Sequence, residues 1–205
     1  MPDPIRIVAL VSGGGTTLQN LIDRIAAGTL SARIAGVVSS RADALGVTRA
    51  ERAGIPATVV PAAPRRAGFA DEVWTAVRAY KPDLVCFAGW LHLLPIPADF
   101  RHKVLNIHPA LLPAFGGKGM YGHHVHEAVL AYGAKVSGCT VHFADDTYDT
   151  GPILVQKCVP VKAGDTPDTL AARVFQAECE AYPEAIRLIA EGCVTVQGRR
   201  VVITE

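Results

Sequence analysis

Short apolar segments alternate with longer amphipathic segments through the first hundred residues, and this alternation most constrains the fold. Ile5–Val11 is rich in β-branched residues and too short for a helix, and a glycine-rich turn separates it from a segment with helical spacing. Strands that alternate with helices of 10–13 residues are typical of right-handed βαβ units and a parallel sheet. The pattern predicts strands at Ile5–Val11, Ala32–Ser39, Ala57–Val60 and Leu84–Ala88, and helices at Thr16–Ala27, Ala42–Ala53 and Gly68–Tyr80.

The second hundred residues have a different character, because a loop rich in Gly and Pro follows the next strand. The helix that Thr166-Pro167 opens should be kinked or interrupted near Pro183. We predict strands at Lys103–His108, Lys135–Phe143 and Ile153–Val161, a short helix around His124–Ala131, and a hairpin of Val194–Val196 and Arg200–Ile203 about Gln197-Gly198. We therefore expect one α/β domain over residues 1–205: a Rossmann-like, mostly parallel sheet flanked by helices, with an antiparallel C-terminal portion.

Charge and cysteine usage exclude several classes of protein. The net charge is +1, and Lys and Arg are dispersed and not clustered in the basic patch typical of a nucleic-acid-binding protein. The five cysteines are widely spaced and form no Cys-x-x-Cys pair, which favours a reducing compartment. The first apolar run has no cationic leader and is too short to span a membrane. We expect a soluble, cytoplasmic protein with small-molecule substrates, no nucleic acid and no membrane partner.

Asn106 and His108 are the most informative polar residues, because they end an apolar strand pattern. Their i, i+2 spacing places both on one face of an extended segment, and Pro109 biases His108 towards extended backbone. Ligand crevices open where strands of α/β sheets end. A neutral donor beside a titratable imidazole suits a reaction that develops negative charge on oxygen. The alternative is a satisfied polar pair at a strand end.

The turn Ser12-Gly13-Gly14-Gly15-Thr16-Thr17 lies between the first strand and the first helix. Its glycines would let backbone amides approach an anion, and a helix N-terminus favours negative charge. The turn is neither a Walker A motif nor a full Gly-x-Gly-x-x-Gly, since Leu18 holds the last position. A phosphate site and a simple tight βα turn are both open interpretations.

Asp149 is the carboxylate of interest in the acidic turn, because Thr150-Gly151-Pro152 after it would hold a sharp bend. For Asp145 and Asp146 we favour a solvated acidic hairpin. If the sheet brings Asp149 against His108, the carboxylate would favour imidazolium and raise the pKa of the histidine.

Two further polar features have weaker signals. His123, His124 and His126 form a local cluster in which His123-x-x-His126 could in principle hold a metal, but no carboxylate or cysteine completes a recognisable ligand set. The glycine-rich loop before them could act as a lid. Glu178 lies close to the apolar stripe of its helix, where a rim position and a ligand contact are both reasonable interpretations.

The order of four motifs along the chain is informative about the family. The motifs are Ser-Gly-Gly-Gly-Thr-Thr-Leu-Gln at 12–19, Phe-Ala-Gly-Trp-Leu-His-Leu-Leu at 87–94, Asn-Ile-His-Pro-Ala-Leu-Leu-Pro at 106–113 and Gly-Cys-Thr-Val-His-Phe…Tyr-Asp-Thr-Gly-Pro at 138–152. Together they resemble the folate-dependent formyltransferase family, and within it the phosphoribosylglycinamide formyltransferases of purine synthesis, over essentially the full length. The resemblance implies transfer of a formyl group from 10-formyltetrahydrofolate, a co-substrate, to the amine of phosphoribosylglycinamide, in a monomer or homodimer without a metal.

The same resemblance implies roles for individual residues. Asn106, His108 and Asp149 match the catalytic trio, in which Asn106 and protonated His108 would stabilise a tetrahedral oxyanion and Asp149 would keep the imidazole charged. The ribonucleotide would contact Gly14, Gly15, Thr16, Thr17 and Glu178, and the folate would contact Arg66, Leu91, His92, Leu93, Leu94 and Asn106.

Some positions depart from the family pattern. Members commonly have Asn at Gly14, Ser-Asn at Thr16-Thr17, Arg at His92 and Ser at Ala110. We expect these departures to alter the phosphate and folate contacts.

Other members of the superfamily, and one unrelated class of protein, are the alternatives. Methionyl-tRNA formyltransferase and sugar-nucleotide formyltransferases carry added domains, and formyltetrahydrofolate hydrolase carries an N-terminal one. A chain that starts its first strand at Ile5, ends at Glu205 and is nearly neutral is expected to be none of these. A non-catalytic nucleotide-binding module would leave the trio as unrelated surface residues.

Overall fold

The structure is a computed structural model that describes residues 3–62 and 67–204. The chain forms two compact units, Met1–Leu105 and Asn106–Glu205. The strands are β1 Ile5–Val11, β2 Ala32–Ser39, β3 Ala57–Val59, β4 Leu84–Phe87, β5 Val104–His108, β6 Val136–Phe143, β7 Ile153–Pro160, β8 Val194–Gln197 and β9 Arg200–Ile203. The helices are α1 Thr16–Ala26, α2 Leu45–Arg52, α3 Phe69–Ala79, α4 His123–Tyr132 and α5 Pro167–Ala190, with a short 3₁₀ turn at Ala98–Phe100.

The predicted α/β class is confirmed by a seven-stranded sheet of order β3-β2-β1-β4-β5-β6-β7. β1 pairs in parallel with β2 and β4, and β2 pairs in parallel with β3. Such strands are buried on both faces, which is why β1 reads as a continuous apolar run from Ile7 to Val11. The carboxyl ends of β1, β2 and β4 meet at one edge of this sheet, where Ser12 donates its backbone N–H to the Gly89 carbonyl (3.0 Å) and Ser40 hydrogen-bonds the Ser12 hydroxyl (2.8 Å).

The predicted antiparallel portion is confirmed in the second unit, where β6 pairs with β7 and β8 with β9. α5 packs on both β6 and β7. It begins at the predicted cap, since the Thr166 hydroxyl accepts the Thr169 backbone N–H (3.3 Å) and Pro167 takes the first position. Of the two predicted effects of Pro183, an interruption does not occur: α5 continues as one helix through this buried proline.

One helix start was predicted too early. α2 begins at Leu45 and not at Ala42, because Arg41 and Asp43 form a two-pronged ion pair (2.7 and 2.9 Å) that stabilises a turn there. Its end is as predicted, at Gly54 in the left-handed region (φ 68°). Among residues 3–62 and 67–204, no helix combines the length and the apolar character that crossing a membrane demands.

Candidate active site

The end of β5 supplies two candidate catalytic side chains. Asn106 and His108 are two residues apart on this strand, as predicted, and the His108 side chain is only 4% exposed. The segment after β5 is tied to β6 by Thr140, whose buried hydroxyl donates to the Ala110 carbonyl (2.7 Å) and accepts the Leu112 N–H (3.0 Å). The polypeptide that leaves His108 is therefore fixed by the neighbouring strand.

Asp149 comes from the turn between β6 and β7. Its backbone is left-handed (φ 58°), a region that Asp tolerates better than most residues. The turn is narrow, because a Cβ added at Gly151 would collide with the Phe143 carbonyl oxygen. Asp145 holds the turn from within, since its carboxylate accepts the Thr147 N–H (3.1 Å) and the Thr150 hydroxyl (2.9 Å). Asp145 is half-buried and its contacts lie within the acidic hairpin predicted for it, and Asp146 is exposed as expected.

The structure brings Asp149 together with both β5 residues. Its carboxylate lies 3.5 Å from His108 Nδ1 and accepts hydrogen bonds from Asn106 Nδ2 (3.3 Å) and the Gly117 N–H (2.9 Å). Burial acts to raise the pKa of Asp149, but His142, His108 and the Gly117 N–H together lower it below its ordinary value. The carboxylate is consequently charged at neutral pH.

Both ring nitrogens of His108 face oxygen atoms. Nδ1 faces Asp149, and Nε2 lies 2.8 Å from the backbone carbonyl of Phe115, a residue in the left-handed region (φ 54°). The predicted effect of Asp149, to raise the pKa of His108, is confirmed in sign, but burial has the larger effect. Burial lowers the pKa of His108, and the opposing effects of Asp149 and the Phe115 carbonyl do not reverse it. At neutral pH the ligand-free imidazole is mainly neutral, and the 2.8 Å contact places its proton on Nε2.

His142 is a member of this cluster that sequence reasoning missed. It lies on β6 with a side chain 2% exposed, its Nδ1 donates to the Phe143 carbonyl (3.0 Å), and its Nε2 then accepts from Asn106 Nδ2 (3.1 Å). Nε2 is also 3.6 Å from Asp149. An imidazole inside the apolar run Val141–Phe143 was the available signal, because a buried polar side chain needs partners.

A second candidate site lies in the first unit, at the turn from β1 to α1. Gly13 and Gly14 are exposed with open space around them, and Gly15 caps α1 in the left-handed region (φ 67°). The turn from β1 to α1 is suited to bind an anion, because the first turn of a helix presents unpaired N–H groups. The turn is joined to the segment after β4, since the Leu91 N–H donates to the Ser12 hydroxyl (3.2 Å).

Comparison with known proteins shows the family. The family model for formyl transferases matches residues 5–186. The chain is a formyltransferase family member.

A solved glycinamide ribonucleotide transformylase 1 from Symbiobacterium toebii is 44% identical to this family member, with a TM-score of 0.92 over 100% of this chain and 96% of that one. Phosphoribosylglycinamide formyltransferase of Escherichia coli (strain K12) is 37% identical over 92% of this chain and 88% of its own length. A trifunctional purine biosynthetic protein of Bos taurus is 40% identical over 100% of this chain, which spans only 20% of that protein.

The folate candidates of this family member follow β4. Leu91 and Leu93 are exposed apolar side chains (48% and 43%), Leu94 is buried, and His92 lies edge-on to the Trp90 ring, with centroids 5.3 Å apart. Burial lowers the pKa of His92, so no fixed cation occupies this position. Arg66, the further folate candidate, lies outside the described residues.

Glu178 is the ribonucleotide candidate on α5. It is partly buried, and burial raises its pKa to about 7. A carboxyl in that environment gains from a ligand that donates hydrogen bonds to it.

The three histidines of α4 have different surroundings, and the His123 and His126 ring centroids lie 6.4 Å apart. His123 lies 3.5 Å from Asp168, His124 lies 3.4 Å from Glu127, and His126 is buried.

Proposed function

We propose that the chain transfers a formyl group from 10-formyltetrahydrofolate to the amine of phosphoribosylglycinamide, a step of de novo purine synthesis. The observation that carries this proposal is the convergence of Asn106, His108 and Asp149 in a chain that belongs to the formyl transferase family. The names of similar proteins support the substrate, because those with high coverage of both chains include glycinamide ribonucleotide transformylase 1 and phosphoribosylglycinamide formyltransferase. We place the reaction in the cytoplasm.

The reaction needs a hydrogen-bond donor for the oxyanion and a route for one proton from the attacking amine to the folate nitrogen. The amine attacks the formyl carbon, the carbonyl bond opens to an oxyanion, and the tetrahedral adduct carries the extra proton on the attacking nitrogen. That proton moves to the departing folate nitrogen through an ordered water, or through His108 when the ring is also protonated on Nδ1 beside Asp149: Nε2 then gives its proton to the folate nitrogen and takes up the proton of the amine. The oxyanion closes again to a carbonyl as the C–N bond to folate breaks. The products are the formylated amine and tetrahydrofolate, so atoms and charge balance.

The His108 Nε2–H is the first donor for the oxyanion. In the ligand-free structure it lies 2.8 Å from the Phe115 carbonyl oxygen, which occupies the place of an acceptor. We infer that the formyl oxygen replaces this carbonyl when substrates bind. Asp149 faces the opposite nitrogen at 3.5 Å and stabilises the imidazolium that forms when the ring accepts a proton.

Asn106 supplies the second donor in this proposal. Both contacts of its amide nitrogen are internal in the ligand-free structure, to Asp149 Oδ1 (3.3 Å) and His142 Nε2 (3.1 Å). One of these N–H groups must turn to the formyl oxygen during the reaction, and the other then keeps the amide in place. The long contact to Asp149 is the weaker of the two and is the one we expect to open.

The remaining contacts are assigned from the family resemblance. The phosphate would bind at Gly15, Thr16 and Thr17, the ribonucleotide would also contact Gly14 and Glu178, and the folate would bind along Leu91–Leu94. His92 replaces the common Arg with a mainly neutral imidazole, so we expect recognition of the folate here to be largely apolar.

One assay tests the proposal against hydrolysis and simple binding. The chain is incubated with 10-formyltetrahydrofolate, with and without phosphoribosylglycinamide, and formylated product and tetrahydrofolate are quantified by mass spectrometry. We expect both products to appear in equal amounts, and only when the ribonucleotide is present. Release of tetrahydrofolate at the same rate without phosphoribosylglycinamide would identify a hydrolase. If neither product forms, the chain is only a binding protein.

A further inference from the structure

α2 contacts the glycine turn 13–15 through its backbone and through one side chain. The Gly46 N–H donates to the Gly13 carbonyl (3.0 Å), and Arg49 Nε donates to the Gly14 carbonyl (2.9 Å). Gly15 touches the same helix, because a Cβ added there would lie 2.6 Å from the Gly46 Cα. Two successive carbonyls of the turn are thus held by α2.

Those two contacts decide where the amide hydrogens point. In a trans peptide the C=O of one residue and the N–H of the next lie in one plane and point in opposite directions. With the Gly13 and Gly14 carbonyls aimed at α2, the N–H groups of Gly14 and Gly15 point away from it. Neither N–H has a hydrogen-bond partner among the residues that the structure describes.

Arg49 is well suited to hold this arrangement. Its Nη1 donates to the Gln19 side-chain oxygen (3.0 Å), and the Gln19 amide donates in turn to Asp23 (2.8 Å), so the guanidinium is braced against α1. Within the described part of the chain, Arg49 forms no ion pair with a carboxylate. Its positive charge therefore stays uncompensated beside the turn.

We propose that Arg49 is a positioning residue for the phosphate of phosphoribosylglycinamide. It fixes the Gly14–Gly15 peptide so that the Gly15 N–H faces the phosphate, and its charge adds to the attraction for the anion. This inference rests on the proposed function, since it deepens the phosphate contact assigned there.

The test compares three variants of the full chain. Arg49→Met removes the charge and the donors but keeps the length of the side chain. Arg52→Met is the matched control, because Arg52 is exposed on the same helix and loses the same charge. Arg49→Lys keeps the charge and one donor. Calorimetry gives Kd for phosphoribosylglycinamide, and steady-state kinetics with that substrate and with glycinamide riboside, which lacks the phosphate, give kcat and KM.

We expect Arg49→Met to raise Kd and KM for the ribonucleotide about tenfold or more, the range for hydrogen bonds to a charged group. Three other parameters should stay within about twofold of wild type: the kcat at saturation, the KM for the folate and kcat/KM for the riboside. A general loss of structure would instead change all of these parameters together. Arg52→Met should change Kd by less than about twofold, and Arg49→Lys should lie between wild type and Arg49→Met.

Equal Kd values for Arg49→Met and Arg52→Met would overturn the inference, as would an equal loss with the riboside. A lysine variant as weak as the methionine variant would also count against it, because the side chain would then act through packing alone. A wild-type chain that binds the ribonucleotide but transfers no formyl group would refute the proposed function instead, and the Kd comparison would still test Arg49.

Discussion

Asp149→Asn is the sharpest test of the candidate active site, because the substitution removes charge and almost no volume. The amide oxygen can still accept the Gly117 N–H that Asp149 now accepts at 2.9 Å. What is lost is the charge 3.5 Å from His108 Nδ1. At that separation, Coulomb's law with an effective dielectric constant of about 20 gives about 5 kcal/mol between unit charges.

Only part of this energy distinguishes the transition state, since His108 carries full positive charge only while the proton is in transit. We expect kcat to fall by about 10²- to 10³-fold, which corresponds to about 3–4 kcal/mol, with KM for either substrate within about threefold of wild type. The pKa of His108 should fall further, because Asp149 is a group that acts to raise it.

The matched control is Asp145→Asn, in the same turn. That carboxylate accepts hydrogen bonds from Thr147 and Thr150 and, within the described residues, forms none with His108, so kcat should change less than about threefold. Steady-state kinetics give kcat, and a pH titration followed by NMR of the imidazole gives the pKa. A kcat within fivefold of wild type together with an unchanged His108 pKa would refute the electrostatic role of Asp149.

Three further predictions address other residues. Glu178→Gln should raise the free energy of unfolding by about 1–3 kcal/mol at pH 8 and leave it unchanged below pH 4.5. Burial raises the pKa of Glu178 to about 7, so ionisation of this carboxyl destabilises the wild-type fold as the pH rises between those values, and glutamine does not ionise. Urea unfolding at pH 8 and below pH 4.5 measures the difference. Gly151→Ala should destabilise the fold by more than about 3 kcal/mol, since its Cβ would collide with the Phe143 carbonyl, and thermal unfolding would show a similar Tm if this turn can relax. Thr140→Val should cost about 2–3 kcal/mol in urea unfolding, because it leaves the Leu112 N–H without its buried acceptor, whereas a loss below 0.5 kcal/mol would mean that water replaces the hydroxyl.

The residues that sequence could predict share one property: their neighbours along the chain define their place. The spacing of Asn106 and His108 on an apolar strand puts both on one face, and the left-handed glycine at Gly54 ends a helix. The role of Asp149 needed the family resemblance, because nothing in the local pattern says which strand end its turn approaches.

What sequence could not predict depends on contacts between distant segments. His142 was hidden in an apolar strand, and the partners that mark it as part of the site come from β5 and the turn after β6. The direction of the His108 pKa followed burial, which spacing does not reveal. Arg49 holds the Gly14 carbonyl 35 positions away, so no motif at residues 12–19 contains it.

The two strained residues of the site explain why its histidine is suited to proton transfer. Phe115 and Asp149 both adopt left-handed backbone without being glycine, and each presents an oxygen to a different nitrogen of His108. In either neutral tautomer of His108, one ring nitrogen directs a lone pair at an oxygen. The imidazolium instead presents an N–H to both oxygens. Burial disfavours that cation in the resting enzyme, and the two acceptors favour it. The two acceptors oppose the effect of burial on the pKa of His108, so the imidazolium forms more easily during turnover than burial alone would allow.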